Sequence, residues 1–499
     1  LREDEIDMAL IGAVDLCCSS VHEAAASMIT AAEPGDAAVA LVLKRLDDAE
    51  RDRDRIFAVL DDDDASAAEQ CVKMGDDSPV TQRFGHVHAA SGLLHLVAGA
   101  IACAGRTELT NAAPWLPSPA GRRVRIEAHS FGDQSDTVLL RDHPNRPAWA
   151  VAPVAIPHIR FYSGIDRGSL REGEGHGPTR MAVVAQDVET LQQRLDAASS
   201  TSDAIDGVWV RDAPIIGETA FVFTGAAAAY PGMGHDLLLT MPELADALVG
   251  RLPPLSDAAS WIYADPPPEH VQPFNQLKGC TVLSQIHAEL TQSLLGIHPD
   301  AVLGLSSGET NGIVALGAWR DAEALFGDIS ASGMYERELT GACKTWSLSG
   351  EAEWRNWRVL APFDAVQQAV AAEEHVRITI INTDADVVIG GEASACRRIV
   401  EGIGAERCLP LGHDMVVHCP EMEPFAETWR RIHSRKTHTV PGVRFYANAT
   451  GEAYVPDSDS VAAMLTGQAL NTVDFPRTVE AAWRDGVRIF IEHGPRGTL

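Results

Sequence analysis

Residues 301–319, AVLGLSSGETNGIVALGAW, place Ser306 between Gly304 and Gly308, where an apolar run gives way to a helical one. This spacing suits a nucleophile held on a sharp strand-to-helix turn, because a strained backbone and a crowded neighbour leave room only for glycine on either side. Ala301, Val302 and Leu303 predict a buried parallel strand, and Ile313, Val314, Leu316 and Gly317 predict the inward face of the next helix. Ser306 would then expose its Oγ, with the first free N–H groups of the helix facing a developing oxyanion. An ordinary buried strand–helix connection uses the same residue types, and the short pattern alone does not separate the two.

The elements that must position this serine belong to a chain of 499 residues, enough for two or three domains with real cores. Hydrophobic residues make up 45% of it, so most of the chain is expected to fold. A formal net charge of −30 argues against nucleic acid as a partner, and an acidic protein partner would have to dock on a local basic patch. Nine cysteines, with no CxxC pair and an odd count, predict a reducing, cytoplasmic setting and no complete disulfide framework. No cluster of histidines and carboxylates has ligand spacing, so no metal is expected. No uninterrupted apolar run reads as a membrane span and no leader opens the chain, so no membrane is expected either. The start at Leu1 reads as a piece of something longer.

Along the chain, IDMALIGAVDL and GDAAVALVLKRL predict two strands separated by a helical stretch, followed by a charged helix and an Asp-rich loop. FGHVHAASGLLHLVAGAIACAG predicts an apolar helix whose small residues allow close packing, and VRIEAHSFGDQSDTVLLRD predicts two strands joined by a polar turn. Residues 151–215 read as a separate α/β piece with a Ser/Thr/Asp loop. A new α/β unit begins with TAFVFTGAAAAYPGMG; further on, HVRITIINTDADVVIGGEASACRRIVEGI predicts strand, turn, strand, helix.

Five stretches in order, FVFTGAAAAYPGMG, GLSSGE, INTDADVVIGGEASA, HCPEM and FIEHGPRGTL, resemble the acyltransferase domain of polyketide and fatty-acid synthases. The upstream DMALIGAVDL, PGDAAVALVLKRLDDAERDRDRIFAVL, FGHVHAASG and FGDQSDTVLL resemble the C-terminal half of a ketosynthase, without its Gly-Thr-Gly-Thr loop and the last motif's asparagine and histidine. Together they are similar to the chain-length-factor and acyltransferase order of polyunsaturated fatty acid synthases. The resemblance implies a thiolase-like ketosynthase fragment over residues 1–150 and an α/β linker over 151–215. It also implies an α/β-hydrolase-like acyltransferase core over 216–499, with a small ferredoxin-like subdomain at about 345–412. Cys18, in DLCCSSVHEA, mimics a ketosynthase nucleophile but follows its strand instead of preceding it, and reads as a small buried residue. His86 aligns with a catalytic ketosynthase histidine and, with its partners missing, reads as structural.

The same resemblance makes Ser306 the nucleophile and His418 the base, with His413 as its rival. It implies that a backbone carbonyl of the GQALNTVDF segment orients the imidazole, with Gln468 and Asn471 not separable; Asp384 or Asp414 is the alternative third member. The oxyanion would meet the backbone N–H groups of Ser307 and Ala229, the latter standing where the family has glutamine. Malonyl-selective members carry an arginine about 25 residues after the serine. Here that position is Ala331, with Arg320 and Arg337 flanking it at the wrong spacing, so an uncharged acyl group, acetyl or longer, is expected. The Ala run at 226–229 and Trp346, Trp354 and Trp357 are compatible with an apolar tunnel, although tryptophans more often belong to a core.

The resemblance implies acyl-coenzyme A as donor, the phosphopantetheine of an acyl carrier protein as acceptor and no bound cofactor. The expected partners are that carrier protein and other synthase domains, a catalytic ketosynthase among them. Two other readings stay open: release of a finished long chain by water from the same acyl-serine, and a catalytically degenerate scaffold for a partner ketosynthase.

Overall fold

A computed structural model describes the chain except residues 2–4, 18, 29, 62–67, 119–120, 130–134, 144–156, 201–203, 250, 253–254, 347–352 and 498. Cys18, most of the Asp-rich loop and the expected junction at 150/151 therefore lie outside the described residues.

The sheet that carries Ser306 has five strands, in the order Glu452–Tyr454, Arg444–Ala447, Ala301–Gly304, Glu218–Phe223 and Val487–His493. The last four are parallel, and Glu452–Tyr454 closes a hairpin on its neighbour. Ala301–Gly304 is buried throughout because it lies in the middle and is covered on both faces, which explains its unbroken apolar run. The helix Pro273–Glu289 crosses this core and buries residues on all sides. Its buried Thr281 and Gln285 are tolerated because both hydrogen bond to Asn311.

A second sheet follows a β-α-β-β-α-β chain order: strand Trp354–Val359, helix Phe363–Ala371, strands Val376–Thr383 and Asp386–Glu392, helix Ala393–Ile403 and strand Cys408–Pro410. In space these four strands lie fourth, first, third, second, and the short strand Val473–Asp474 adds parallel to Val376–Thr383. The helix Ala393–Ile403 is capped by Glu392, which accepts from the N–H groups of Ser394 and Ala395, and it buries Ala395, Cys396, Ile399 and Val400 along one stripe. Trp354 and Trp357 pack in this region's cores, and the Trp354 Nε1–H donates to Asn356 Oδ1 at 3.0 Å.

Upstream, Met8–Asp15 and Ala37–Lys44 form an antiparallel ribbon, with the short helix Ser20–Ala26 between them in sequence. A four-stranded sheet, ordered Val59–Asp61, Ser135–Arg141, Arg123–His129 and Gln70–Lys73, carries the helix Ser91–Gly105. That helix approaches closely at Gly99, where an added Cβ would stand 3.1 Å from both Ile126 and Leu140 side chains. Contrary to the expectation that no segment reads as a membrane span, the stretch His88–Gly105 is long and apolar enough to cross a membrane; here nearly half of it is buried, against this sheet. The strands His158–Gly164, Arg171–Glu172, Thr179–Ala185 and Val208–Arg211 form an antiparallel sheet with its own small core around Val183 and Leu191.

The upstream part and the Ser306 core are not separate bodies of packing. Ala113 and Leu116 lie in the same apolar core as Phe221, Leu248 and Trp261. Beside them the fully buried Arg122 bridges Asp142, at 3.0 Å, and Asp246, at 2.8 Å, and Arg106 meets Asp246 at 2.7 Å.

Candidate active site

Ser306 sits at the tight turn between Ala301–Gly304 and the helix Gly308–Ala315, with a left-handed φ of 55°. Such a conformation costs a non-glycine residue of the order of 1–2 kcal/mol, and it persists because the turn is over-determined. A Cβ at Gly304 would run into the backbone of Gly308 and Glu309, and one at Gly308 into the carbonyl of Phe223. Both glycines therefore answer to close backbone approach, as the sequence spacing requires.

His418 stands within hydrogen-bond reach of the serine. Its Nε2 lies 2.7 Å from Ser306 Oγ, and its Nδ1 lies 2.7 Å from the Gln468 carbonyl. A carbonyl has no proton to give, so Nδ1 carries the hydrogen and Nε2 is left as the acceptor for the serine hydroxyl. Burial holds the His418 imidazole down to about 4, against the opposing hydrogen bond to Gln468, so the ring is neutral at physiological pH. Like the serine, His418 has a left-handed φ, of 61°, and its own N–H donates to the Ala469 carbonyl at 2.7 Å. The Gln468 side chain returns to the nucleophile turn, its Nε2 donating to the Ser306 carbonyl at 3.2 Å.

The structure separates the residues that the sequence left paired. Gln468 orients the histidine; Asn471 is exposed and donates to the Gly467 carbonyl. Asn471 is thus removed from the site, because it ends the helix Ser458–Leu470 beyond the turn that faces His418. Asp414 is held by Arg355, and Asp384 is exposed, so neither carboxylate is the third member. His413 faces the same space but pairs with Gln276 Oε1 at 2.7 Å, and burial also brings its imidazole to about 4.

One expected oxyanion donor is corrected. The Ala229 N–H donates to the Ala226 carbonyl at 3.1 Å, closing a helical turn, and Ala229 lines neither cavity at Ser306. Ala226, by contrast, lines both cavities, and its N–H donates to Ser307 Oγ at 2.9 Å. The run of four alanines hid which of them turns toward the serine. Ser307 stands directly before the helix Gly308–Ala315 and lines the inner cavity with Ser306.

Behind the turn, Glu309 is buried and its carboxyl is pushed up to about 8 by burial, with hydrogen bonds from the Asn448 backbone and side chain opposing. Asn448 also donates to the Gly304 carbonyl, so this pair braces both ends of the nucleophile turn.

Two cavities open at Ser306. The inner one is narrow, about 40 Å³, and runs along Thr310 and Val314 between Phe326, Ile329, Tyr335 and Trp429. No lysine or arginine is among its described lining residues. Ala331 is exposed, Arg337 is exposed beside Glu336, and Arg320 is exposed and lines a different cavity. Trp346, Trp354 and Trp357 lie in or against the cores, the reading favoured for them, and none lines this cavity; Trp429, which the sequence did not single out, does. The outer cavity, about 160 Å³, lies between the two sheets, with Asn356, Arg358, Asn382 and Arg496 on its walls. Arg358 there is paired with Asp386.

His86 lies away from this site, half-buried, its Nδ1 accepting from the His88 N–H at 3.2 Å. Among the described residues no group of three or more His, Cys, Asp or Glu side chains could hold a metal ion.

Comparison with known proteins places these elements among characterised ones. The model of the acyl transferase domain family matches residues 220–499. A polyunsaturated fatty acid synthase polypeptide of Thraustochytrium sp. is 27% identical over 227 residues, covering 41% of the chain and 11% of that protein. The 5-methyl-1-naphthoate synthase of Streptomyces sahachiroi is 25% identical over 431 residues, covering 76% of the chain and 23% of that protein. The chain thus spans less than a quarter of the length of either relative. Among solved structures, the acyltransferase domain of the second module of the salinomycin polyketide synthase superposes with a TM-score of 0.51 at 25% identity, over 64% of the chain and 73% of that domain. The domain from module 8 of the same synthase gives a TM-score of 0.53 at 22% identity, over 66% and 77%, and shows the shared mixed α/β fold.

Proposed function

The chain belongs to the acyl transferase domain family, and from that premise we propose that Ser306 carries an acyl group from an acyl-coenzyme A thioester to the phosphopantetheine thiol of an acyl carrier protein. The observation that carries this reading is the unbroken chain from Ser306 Oγ through the neutral His418 imidazole to the Gln468 carbonyl. Ser306 Oγ attacks the thioester carbonyl carbon while His418 Nε2 takes the hydroxyl proton. The C–S bond then breaks, and the same proton passes to the leaving thiolate. In the second half the carrier thiol gives its proton to His418, its sulfur attacks the acyl-serine, and Ser306 Oγ takes the proton back. The charge on the tetrahedral oxygen falls to the backbone N–H of Ser307 and to that of Ala226 once Ser307 Oγ releases it.

The outer cavity suits a pantetheine arm, since its asparagines and Arg496 offer donors along a cleft that ends at Ser306. The inner cavity suits an uncharged acyl group: a malonyl carboxylate there would be desolvated without a cationic partner. The upstream residues 1–150 are read as the C-terminal part of a chain-length-factor-like ketosynthase domain, residues 151–215 as an α/β linker, and residues 216–499 as an α/β-hydrolase-like core bearing a ferredoxin-like subdomain. The likeness to 5-methyl-1-naphthoate synthase covers 76% of the chain, more than residues 220–499 supply, so upstream residues share in it.

The test is intact-protein mass after incubation with acetyl-, malonyl- or long-chain acyl-coenzyme A, beside Ser306→Ala. A serine-dependent adduct from the uncharged donors, passed on to added carrier protein, is the expected result. Rapid loss of a long-chain adduct as free acid would make hydrolytic release the activity. A stable malonyl adduct would show that a cation reaches the inner cavity. The absence of any adduct would leave a scaffold.

A further inference from the structure

A third cavity, about 340 Å³, adjoins the inner one and is lined by Leu248, Leu252, Leu316 and Trp319 together with Gln285 and the exposed Arg251 and Arg320. Among the described residues, Val314 is the one that lines both this cavity and the one at Ser306. The inner cavity by itself has room for about three waters, or an acetyl-sized group. From Ser307 to Val314 the helix rises about 10 Å, so Val314 stands about two turns beyond the serine along this wall.

The rest of the partition is braced, and Val314 is not. On one side Thr281 Oγ1 donates to Asn311 Oδ1 at 2.8 Å and Gln285 Nε2 donates to the Asn311 carbonyl at 3.0 Å, pinning two helices together. On the other, the Trp319 ring stacks on His433 at 6.3 Å between centroids, and its Nε1–H donates to Thr437 Oγ1 at 3.1 Å. Shifting either strut breaks hydrogen bonds in a buried setting, whereas trimming a valine forfeits only dispersion contacts.

We propose that Val314 sets the acyl-length limit of the Ser306 site, and that the space beside Leu248, Leu252, Leu316 and Trp319 in the cavity behind it receives an unbranched, uncharged acyl tail when that wall is trimmed. The inference rests on the acyl-serine reading above.

The experiment compares initial rates of Ser306 adduct formation from octanoyl- and acetyl-coenzyme A, by intact mass, in the parent chain, Val314→Ala, Val314→Ile and Val314→Ala/Leu316→Trp. The octanoyl-to-acetyl ratio should rise at least tenfold in Val314→Ala. It should fall in Val314→Ile, which adds a methylene to the wall, and return toward the parent value when Leu316→Trp fills the space behind. An unchanged ratio in Val314→Ala and Val314→Ile, with Ser306 still loading both donors, would overturn the assignment. A raised ratio that persists in the double variant would overturn the role of the second cavity. If Val314→Ala fails to fold, the ratio in Val314→Ile decides. No adduct from either donor in the parent chain would instead remove the acyl-serine reading, and this inference with it.

Discussion

Ser307 Oγ accepts a hydrogen bond from the Ala226 N–H at 2.9 Å, tying the residue after the nucleophile to the loop that follows the neighbouring strand Glu218–Phe223. The Ala226 N–H therefore reaches an oxyanion only by being shared with or released from this hydroxyl, which also fixes the loop beside the serine. Ser307→Ala should slow Ser306 acylation about tenfold, the order of a modest loss of transition-state positioning. It should cost about 1 kcal/mol of stability, an ordinary net hydrogen bond. Rapid-quench mass measurement and denaturant unfolding read the two effects separately; an unchanged acylation rate would show that the loop holds its place without the brace.

The buried His418 gives a defined pH dependence. Its neutral form is the base, and burial holds the ring at about 4, so acylation should be flat from pH 7.5 to pH 5.5 and decline only as pH approaches 4. An exposed histidine titrating near its ordinary value would lose about tenfold over that range. An inflection near pH 6.5 would show that the imidazole is hydrated. Stability should behave differently. His413, His418, His433 and His493 are all held near 4 by burial, so between pH 6.5 and 4 the unfolded chain binds protons that the folded chain does not. Their contribution is complete above pH 6.5 and is lost as pH falls through that window, by up to about 1.4 kcal/mol per unit for each ring. Thermal unfolding across pH 4–7 measures it.

Gln468 and Asn471 should be separable by substitution. Gln468→Ala keeps the carbonyl that orients His418 but removes the bond to the Ser306 carbonyl, so acylation should fall by about tenfold without being abolished. Asn471→Ala, at an exposed helix end, should stay within about 0.5 kcal/mol of the parent in stability and within twofold in rate. Equal losses from the two would contradict the assignment.

Arg122→Met should destabilise the whole described chain by about 3–5 kcal/mol, since it strands Asp142 and Asp246 in a buried setting. Arg484→Ala, which removes a distant exposed pair with Glu452, should cost under about 1 kcal/mol. Chemical denaturation of both variants checks this. A separate early transition for the upstream residues would show that the network does not couple them to the Ser306 core.

How much of this was legible in the sequence differs from residue to residue. Local backbone chemistry announced the turn at Ser306: only glycine fits at 304 and 308, and that requirement is written into five consecutive positions. The strand, turn, strand and helix of residues 376–403 were legible for the same reason, because alternation and amphipathic spacing are local signals. His418 was reached through resemblance, because nothing in a lone histidine more than one hundred residues away states what it faces.

What only tertiary structure decided is contact across distance. Four consecutive alanines are chemically identical in the sequence, and only the fold turns Ala226 to Ser307 while closing Ala229 into a turn. Gln468 and Asn471 lie three residues apart, and the end of one helix puts the first against His418 and the second in solvent. The sharing of Val314 by two cavities, and the burial of Arg122 between two aspartates, arise from helices and sheets that meet from distant parts of the chain. The sequence alone determined the residue types and local turns that acyl chemistry requires. Packing decided which of those groups meet, because short-range propensity carries no record of a partner a hundred residues away.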